Sequence, residues 1–184
     1  MFDLNHITKN DIDEVILFYE KYLNSGGTIR KAIRTAFENN CYFGCKAADD
    51  GDTIGFFTFQ EGVALTYPHV ELEQEILSFT KTMQIATVDA LMVDRRFRER
   101  GVAREMAKWS IRELTRRKFT AFLVEVWVYP DGSYPAAKVY EQMGNVIWKK
   151  EIPLFYQEAH KYGISCPICG ERCQCGAVLE IITI

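Results

Sequence analysis

Apolar residues recur along the chain in two periods, and the switches between them give an order of elements. Phe2 to Ile7 reads as a short opening strand. From about Asn10 to Leu23, the residues Ile12, Val15, Ile16, Tyr19 and Leu23 fall on one helical face, with Thr8 or Asn10 to cap the helix and Ser25-Gly26-Gly27 to stop it. Thr28 is placed to cap a second helix, through Ile29, Ile33 and Phe37 to Asn39-Asn40. Cys41 to Ala47 and Thr53 to Gln60 then read as antiparallel strands around Asp49-Asp50-Gly51-Asp52, a hairpin turn sequence. Residues 61–86 read as a helical insertion, with Pro68 and an apolar stripe of Leu72, Ile76, Phe79 and Met83.

Thr87 to Val93 is an apolar strand that runs through the basic turn Asp94-Arg95-Arg96-Phe97-Arg98-Glu99-Arg100-Gly101 straight into a helix. Ala103, Met106, Ala107, Ser110, Ile111 and Leu114 share one face of that helix, while Arg104, Lys108, Arg112, Arg116 and Arg117 lie off it. A strand that stops at a helix N-terminus leaves backbone N–H groups unpaired, and the helix dipole adds partial positive charge there. A pyrophosphate suits such a place. The plain alternative is an ordinary strand–turn–helix with a solvated basic face. Ala121 to Tyr129 follows as a nearly continuous apolar strand, the pattern of one covered on both faces. Asp131-Gly132-Ser133 turns the chain, and Pro135 opens a helix that ends near Gly144. Asn145 to Phe155 reads as a further strand or strand pair, and Ala177 to Ile184 as the last strand.

Arg98-x-x-Gly101-x-Ala103 resembles the (Gln/Arg)-x-x-Gly-x-(Gly/Ala) signature of the GNAT acyltransferase superfamily, and the order of elements resembles that fold across nearly the whole chain. The resemblance implies a single α/β (α+β) domain over residues 1–184: a mixed, mostly antiparallel central sheet flanked by helices. It implies an N-acetyltransferase that moves an acetyl group from acetyl-CoA to a primary amine by direct attack in a ternary complex. The coenzyme contacts it implies are the strand backbone around Leu91, Met92 and Val93 for the pantetheine arm, and Arg98, Glu99, Arg100, Gly101, Val102 and Ala103 for the pyrophosphate. Where relatives often carry an asparagine before the next helix, Pro130-Asp131-Gly132-Ser133 stands here, so Ser133 or Asp131 would take that contact. Ala136-x-x-x-Tyr140-Glu141-x-x-Gly144 resembles the family's Ala-x-x-x-Tyr-(Glu/Lys)-x-x-Gly pattern, which makes Tyr140 the acid for the leaving thiolate. A phenol of pKa near ~10 keeps its proton at neutral pH and yields it as charge builds on sulfur.

Attack also needs a base for the ammonium proton. Asp89 and Glu125 sit on apolar strands, where desolvation raises a carboxyl pKa. Asp89, alternating with Leu91 and Val93, is the first choice, and Glu125 a second base or a partner in a water relay. The bland account of each is a strand carboxylate satisfied by a neighbouring Arg or Lys, and of Tyr140 a tyrosine that merely packs. A non-catalytic acetyl-CoA sensor or zinc-stabilised interaction module is the alternative function, separable by thiol release in the presence of an amine.

The chain has 184 residues, 48% of them hydrophobic, and so can bury a real core. A net charge of −3 and a pI near 5.7 argue against a general nucleic-acid binder. No segment approaches the ~18 consecutive apolar residues of a membrane span. Asp3, His6 and Lys9 interrupt the apolar run of a signal peptide, so the expected place is the cytoplasm. The acceptor is a small-molecule or protein amine, with a homodimer admitted as the assembly.

Cys166-Pro167-Ile168-Cys169-Gly170-Glu171-Arg172-Cys173-Gln174-Cys175 packs four of the six cysteines into a loop between the last two strands. Cys-x-x-Cys-Gly has the shape of a zinc knuckle, and residues 163–177 are read as one, closed by four thiolates and structural rather than catalytic. Disulfides, metal-free thiols and an iron–sulfur centre are the competing accounts. Cys41 and Cys45 share one strand face and are read as small core residues.

Overall fold

The computed structural model describes residues 2–23, 27–65, 69–134, 136–166, 169–170 and 172–184. The elements are β1 (Asp3–His6), α1 (Ile12–Tyr22), α2 (Gly27–Glu38), β2 (Tyr42–Asp49), β3 (Asp52–Glu61), α3 (Val70–Leu77), β4 (Ile85–Val93), α4 (Val102–Arg116), β5 (Ala121–Val128), α5 (Ala137–Tyr140), β6 (Asn145–Ile152) and β7 (Gly176–Thr183). They build a seven-stranded sheet of order β1-β2-β3-β4-β5-β7-β6, antiparallel throughout except for the β4–β5 pair. This is the mixed, mostly antiparallel sheet that the family resemblance implies, with the cysteine loop between the last two strands.

Local chemistry accounts for most boundaries. Thr8 caps the turn leading into α1: its hydroxyl accepts from the Asn10 N–H at 3.3 Å, and Asp11 accepts from the Thr8 N–H at 2.7 Å. The β2–β3 hairpin closes through Asp50 and Gly51, both at positive φ, the backbone that a tight turn between twisted strands requires.

Four expectations need correction. Thr28 lies one residue inside α2, which starts at Gly27, and Ser25 and Gly26 fall outside the described residues. Cys41 stands just before β2, while Cys45 is fully buried within it. The last helix is only Ala137–Tyr140, its proposed opener Pro135 lying outside the described residues; the chain then tightens into turns, with the Met143 N–H bonding the Tyr140 carbonyl at 2.8 Å. Gly144 has a reason beyond ending a helix, since a Cβ there would lie 1.9 Å from the Thr183 carbonyl oxygen of β7. Finally, β6 stops at Ile152 rather than reaching Phe155, because Pro153 has no N–H for the ladder and Leu154 turns left-handed at φ 56°. A 3₁₀ helix, Phe155–Tyr162, follows instead.

The apolar side chains form three clusters. One face of the sheet carries α4 and α5, with Val102, Met106, Leu114, Ala137 and Tyr140 packed on Phe43, Phe57, Phe122 and Val126. The opposite face is divided. Val15, Ile16, Ile33 and Phe37 of α1 and α2 cover Tyr42, Phe56, Ala90 and Met92. Leu72, Ile76, Phe155, Tyr156 and three of the loop cysteines cover Leu123, Leu179 and Ile181. The division falls where β4 and β5 part.

Candidate functional site

Parallel pairing of β4 with β5 runs only through Ile85–Ala121, Ala86–Phe122 and Thr87–Leu123. Beyond Thr87 the strands separate, although β4 stays paired with β3 as far as Val93 and β5 with β7 as far as Val128. The inner edges of both strands are thus left with backbone groups that have no strand to pair with. A β-bulge accompanies the parting: Thr58 pairs with Ala90 and Phe59 with Val88, so Asp89 is the extra residue. A bulge bends its strand and re-aims a side chain.

The bulge corrects the simple alternation of Asp89 with Leu91 and Val93. Leu91 and Val93 belong to the α4–α5 face. The Asp89 carboxylate lies with residues of β2 and β3 on the other: Oδ2 accepts from the Tyr42 hydroxyl at 2.5 Å and the Thr58 hydroxyl at 3.2 Å, and Oδ1 from Gln60 Nε2 at 2.9 Å. Burial pushes this carboxyl above its usual range, outweighing the three donors that pull it down.

A cavity of about 550 Å³ occupies the gap. On one side it meets Leu91, Val93, Ala103, Val126, Val139 and Tyr140; on the other Tyr19, Asp89, Glu125, Trp127 and Tyr156. It therefore connects the two faces of the sheet. Among the described residues the Tyr140 hydroxyl has no hydrogen-bond partner, and burial raises its pKa well above the ordinary phenol value. Glu125 Oε1 accepts from the Tyr156 hydroxyl at 2.6 Å. Tyr19 is raised too, first by burial and then by the charges of Asp89 and Glu125, which puts its hydroxyl within the field of both carboxylates.

At the end of β4 the chain makes a short 3₁₀ turn, Arg95–Phe97, capped by Asp94, and reaches α4 through Glu99 and Gly101, at φ 61° and 81°. Alternating left-handed residues curve successive N–H groups into a concavity. The first main-chain bond of α4 is Glu105 N–H to the Gly101 carbonyl at 3.1 Å; among the described residues the N–H groups from Glu99 to Arg104 have no partner. Arg98 turns back, its Nε 3.1 Å from the Val93 carbonyl. Asp94, held by Arg96 and Lys21, lies well below the usual carboxylate range and neutralises part of the basic cluster.

Of the residues singled out from sequence, Asp89, Glu125, Tyr140, Leu91, Met92, Val93, Arg98, Glu99 and Ala103 line the cavity. Arg100 and Gly101 lie on the adjoining turn and Val102 opens α4, all three outside it. Ser133 is apart: exposed, it closes a turn in which its N–H bonds Asp131 Oδ1 at 2.9 Å and its carbonyl accepts from Tyr129. Sequence reasoning missed Tyr42, Thr58, Gln60 and Tyr156, and saw in Tyr19 only a helix's apolar face. The even positions Tyr42, Thr58 and Gln60 opposite a strand aspartate were the one available signal.

The Sγ atoms of Cys166, Cys169, Cys173 and Cys175 all lie within 4.8 Å of one another, and Cys175 is 3.7 Å from both Cys166 and Cys169. Thiolates about 2.3 Å from a central Zn²⁺ in a tetrahedron stand about 3.8 Å apart, so the set fits that ion. Gly170, at φ 68°, lets the chain turn back so that its N–H bonds the Cys166 carbonyl at 2.9 Å. The Cys169 and Cys175 N–H groups each lie 3.4 Å from a neighbouring sulfur, Cys166 and Cys173 respectively, as donors to thiolates do.

Residues 13–144 match the profile of the acetyltransferase (GNAT) family. Among solved structures, Arabidopsis thaliana NAA60 in complex with acetyl-CoA is similar at 14% identity and a TM-score of 0.67, covering 100% of this chain and 99% of that one. The same enzyme with a bisubstrate analogue gives 13% and 0.66, covering 100% and 98%. The ribosomal-protein-S18-alanine N-acetyltransferase of Escherichia coli gives 16% and 0.63, covering 100% and 94%. At these identities the likeness is one of fold. No curated protein sequence matches the chain significantly.

Proposed function

The chain belongs to the acetyltransferase (GNAT) family, and we propose that it transfers the acetyl group of acetyl-CoA to a primary amine within the gap between β4 and β5. The observation that carries this is the cavity crossing the sheet, with two carboxylates on one side and a buried phenol on the other. Acetyl-CoA enters from the α4–α5 side, its diphosphate on the unpaired N–H groups from Glu99 to Arg104 and its pantetheine arm along the free edge at Leu91, Met92 and Val93. The amine enters from the side of Tyr19 and Tyr156.

Asp89 takes a proton from the bound ammonium. The freed nitrogen lone pair attacks the thioester carbonyl, and the tetrahedral intermediate collapses with cleavage of the C–S bond. The departing thiolate takes the Tyr140 proton, the surplus proton of the attacking nitrogen passes through water to restore the phenol, and Asp89 releases its proton to solvent. Glu125 holds the ammonium before transfer. Both substrates are bound together and no acyl-enzyme forms. The acceptor class spans small-molecule and protein amines. Free thiol released from acetyl-CoA only when a primary amine is present is the expected result; coenzyme binding without thiol release in any amine would identify a sensor instead.

We further propose that the four-cysteine loop holds one structural Zn²⁺. Its sulfur spacing supports the assignment, and four thiolates leave no open position for a substrate. Native mass spectrometry is expected to find one zinc per chain in the wild type and none in Cys166→Ser; full metal content in that variant would contradict a closed four-thiolate site.

A further inference from the structure

One side chain joins the cysteine cluster to the cavity. Tyr156 is 2% exposed, at the start of the 3₁₀ helix Phe155–Tyr162. Its main-chain N–H bonds the Cys175 carbonyl at 3.3 Å, and its hydroxyl bonds Glu125 Oε1 at 2.6 Å. The ring meets Trp127 edge-on, centroids 4.8 Å apart, and Trp127 shares the cavity wall with Glu125. Ile164 makes a second link: it lines the cavity and packs in the same apolar cluster as Cys166, Cys173 and Cys175. The turn proposed for the diphosphate borders the same cavity through Arg98, Glu99 and Ala103, but Val102 and Ala103 pack in the cluster on the other face of the sheet, which has no residue in common with the cluster of the cysteines.

We propose that the metal held by the four thiolates sets acceptor affinity, acting through Tyr156 as a positioning residue for Glu125, and leaves the coenzyme half of the site unchanged. The proposal rests on the acyl-transfer reading above. An ion bound by four sulfurs crosslinks residues 166–175 and fixes the backbone at Cys175, one residue before β7 begins. Releasing it restores conformational freedom to that loop. The Cys175 carbonyl is a main-chain anchor of Tyr156, and a hydrogen bond to a carboxylate weakens steeply once its length or angle is lost. Glu125 then loses one of the contacts that orient it, and the ammonium site loosens.

The test uses zinc-loaded full-length protein and two-substrate kinetics. The acceptor is whichever of spermidine, tyramine, glycinamide and a short peptide with a free N-terminus releases thiol fastest. Tyr156→Phe keeps the ring and removes the hydroxyl. Losing a hydrogen bond to a charged group predicts an acceptor KM raised about tenfold or more, with kcat and the acetyl-CoA KM nearly unchanged. Chelating the zinc from wild-type protein should raise the acceptor KM in the same way, change the near-ultraviolet dichroism to which the Trp127–Tyr156 pair contributes, and leave acetyl-CoA calorimetry unaltered. Chelation should add little to Tyr156→Phe, and readded Zn²⁺ should rescue the wild type.

Protein that takes up no zinc, or Tyr156→Phe with an unmoved acceptor KM, overturns the proposal. So does a metal-free wild type that binds acetyl-CoA and keeps its acceptor KM. Should chelation unfold the chain, seen as lost acetyl-CoA binding, the KM-against-kcat split in zinc-loaded Tyr156→Phe decides alone. Failure of loaded wild type to bind acetyl-CoA sinks the acyl-transfer reading itself, whereas intact binding with an unmoved acceptor KM sinks only the metal linkage.

Discussion

Asp89→Asn is expected to lower kcat by roughly 10²–10⁴-fold, the range for losing a general base, while acetyl-CoA binding stays unchanged. Asp89 is the extra residue of a bulge where β4 parts from β5, and its carboxylate is held by Tyr42, Thr58 and Gln60. Such a group is fixed in position before substrate arrives. Burial keeps its pKa above the usual carboxylate value, so it is a stronger base than an exposed aspartate. The sign of the pH dependence follows. The working form is the carboxylate, so kcat rises as pH increases through the raised pKa and falls on the acid side; asparagine removes that limb. A pH–rate profile of both proteins, beside a Glu125→Gln control, checks this. Asp89→Asn with wild-type kcat and an intact acid limb would move the base elsewhere.

Gly101→Val is expected to weaken acetyl-CoA binding tenfold or more. Gly101 lies at φ 81°, and a Cβ built there meets nothing within 4 Å, so glycine is not required by crowding inside the protein. The requirement is conformational: a β-branched residue held left-handed costs on the order of 1–3 kcal/mol, and each 1.4 kcal/mol is about tenfold in an equilibrium. The turn can escape only by rotating out of that conformation, which disperses the N–H groups from Glu99 to Arg104. The added side chain also projects into open space beside the proposed diphosphate. Calorimetry should show the lost affinity with only a small change in melting temperature, because the turn is exposed and its core neighbours are untouched. Wild-type affinity in Gly101→Val would refute the role given to this turn.

What the sequence disclosed and what it withheld follow from range. The α4 stripe, the basic turn before it and the order of strands rest on local periodicity, and the structure reproduces them. The bulge could not be read that way: alternation continued through Asp89 puts it on the face of Leu91, and only the pairing of β3 with β4 exposes the extra residue. Tyr19 satisfies the apolar stripe of α1 whether its hydroxyl meets solvent or lies in the field of two carboxylates, so periodicity is silent about it. Tyr156 was hidden by reading the strand through to Phe155, past a proline that ends the ladder. Gly144 reads locally as a helix stop, yet its necessity comes from Thr183, 39 positions later in the sequence and 1.9 Å from where its Cβ would be. The cysteine cluster was legible because its ligands are close in sequence, but its link to Glu125 was not, since that path runs through Tyr156, 31 residues away along the chain.

The most direct measurement is a calorimetric titration of acetyl-CoA into zinc-loaded protein. The account predicts saturable binding at one site per chain, weakened tenfold or more in Gly101→Val and retained in Asp89→Asn. No heat and no saturation at millimolar coenzyme would contradict it.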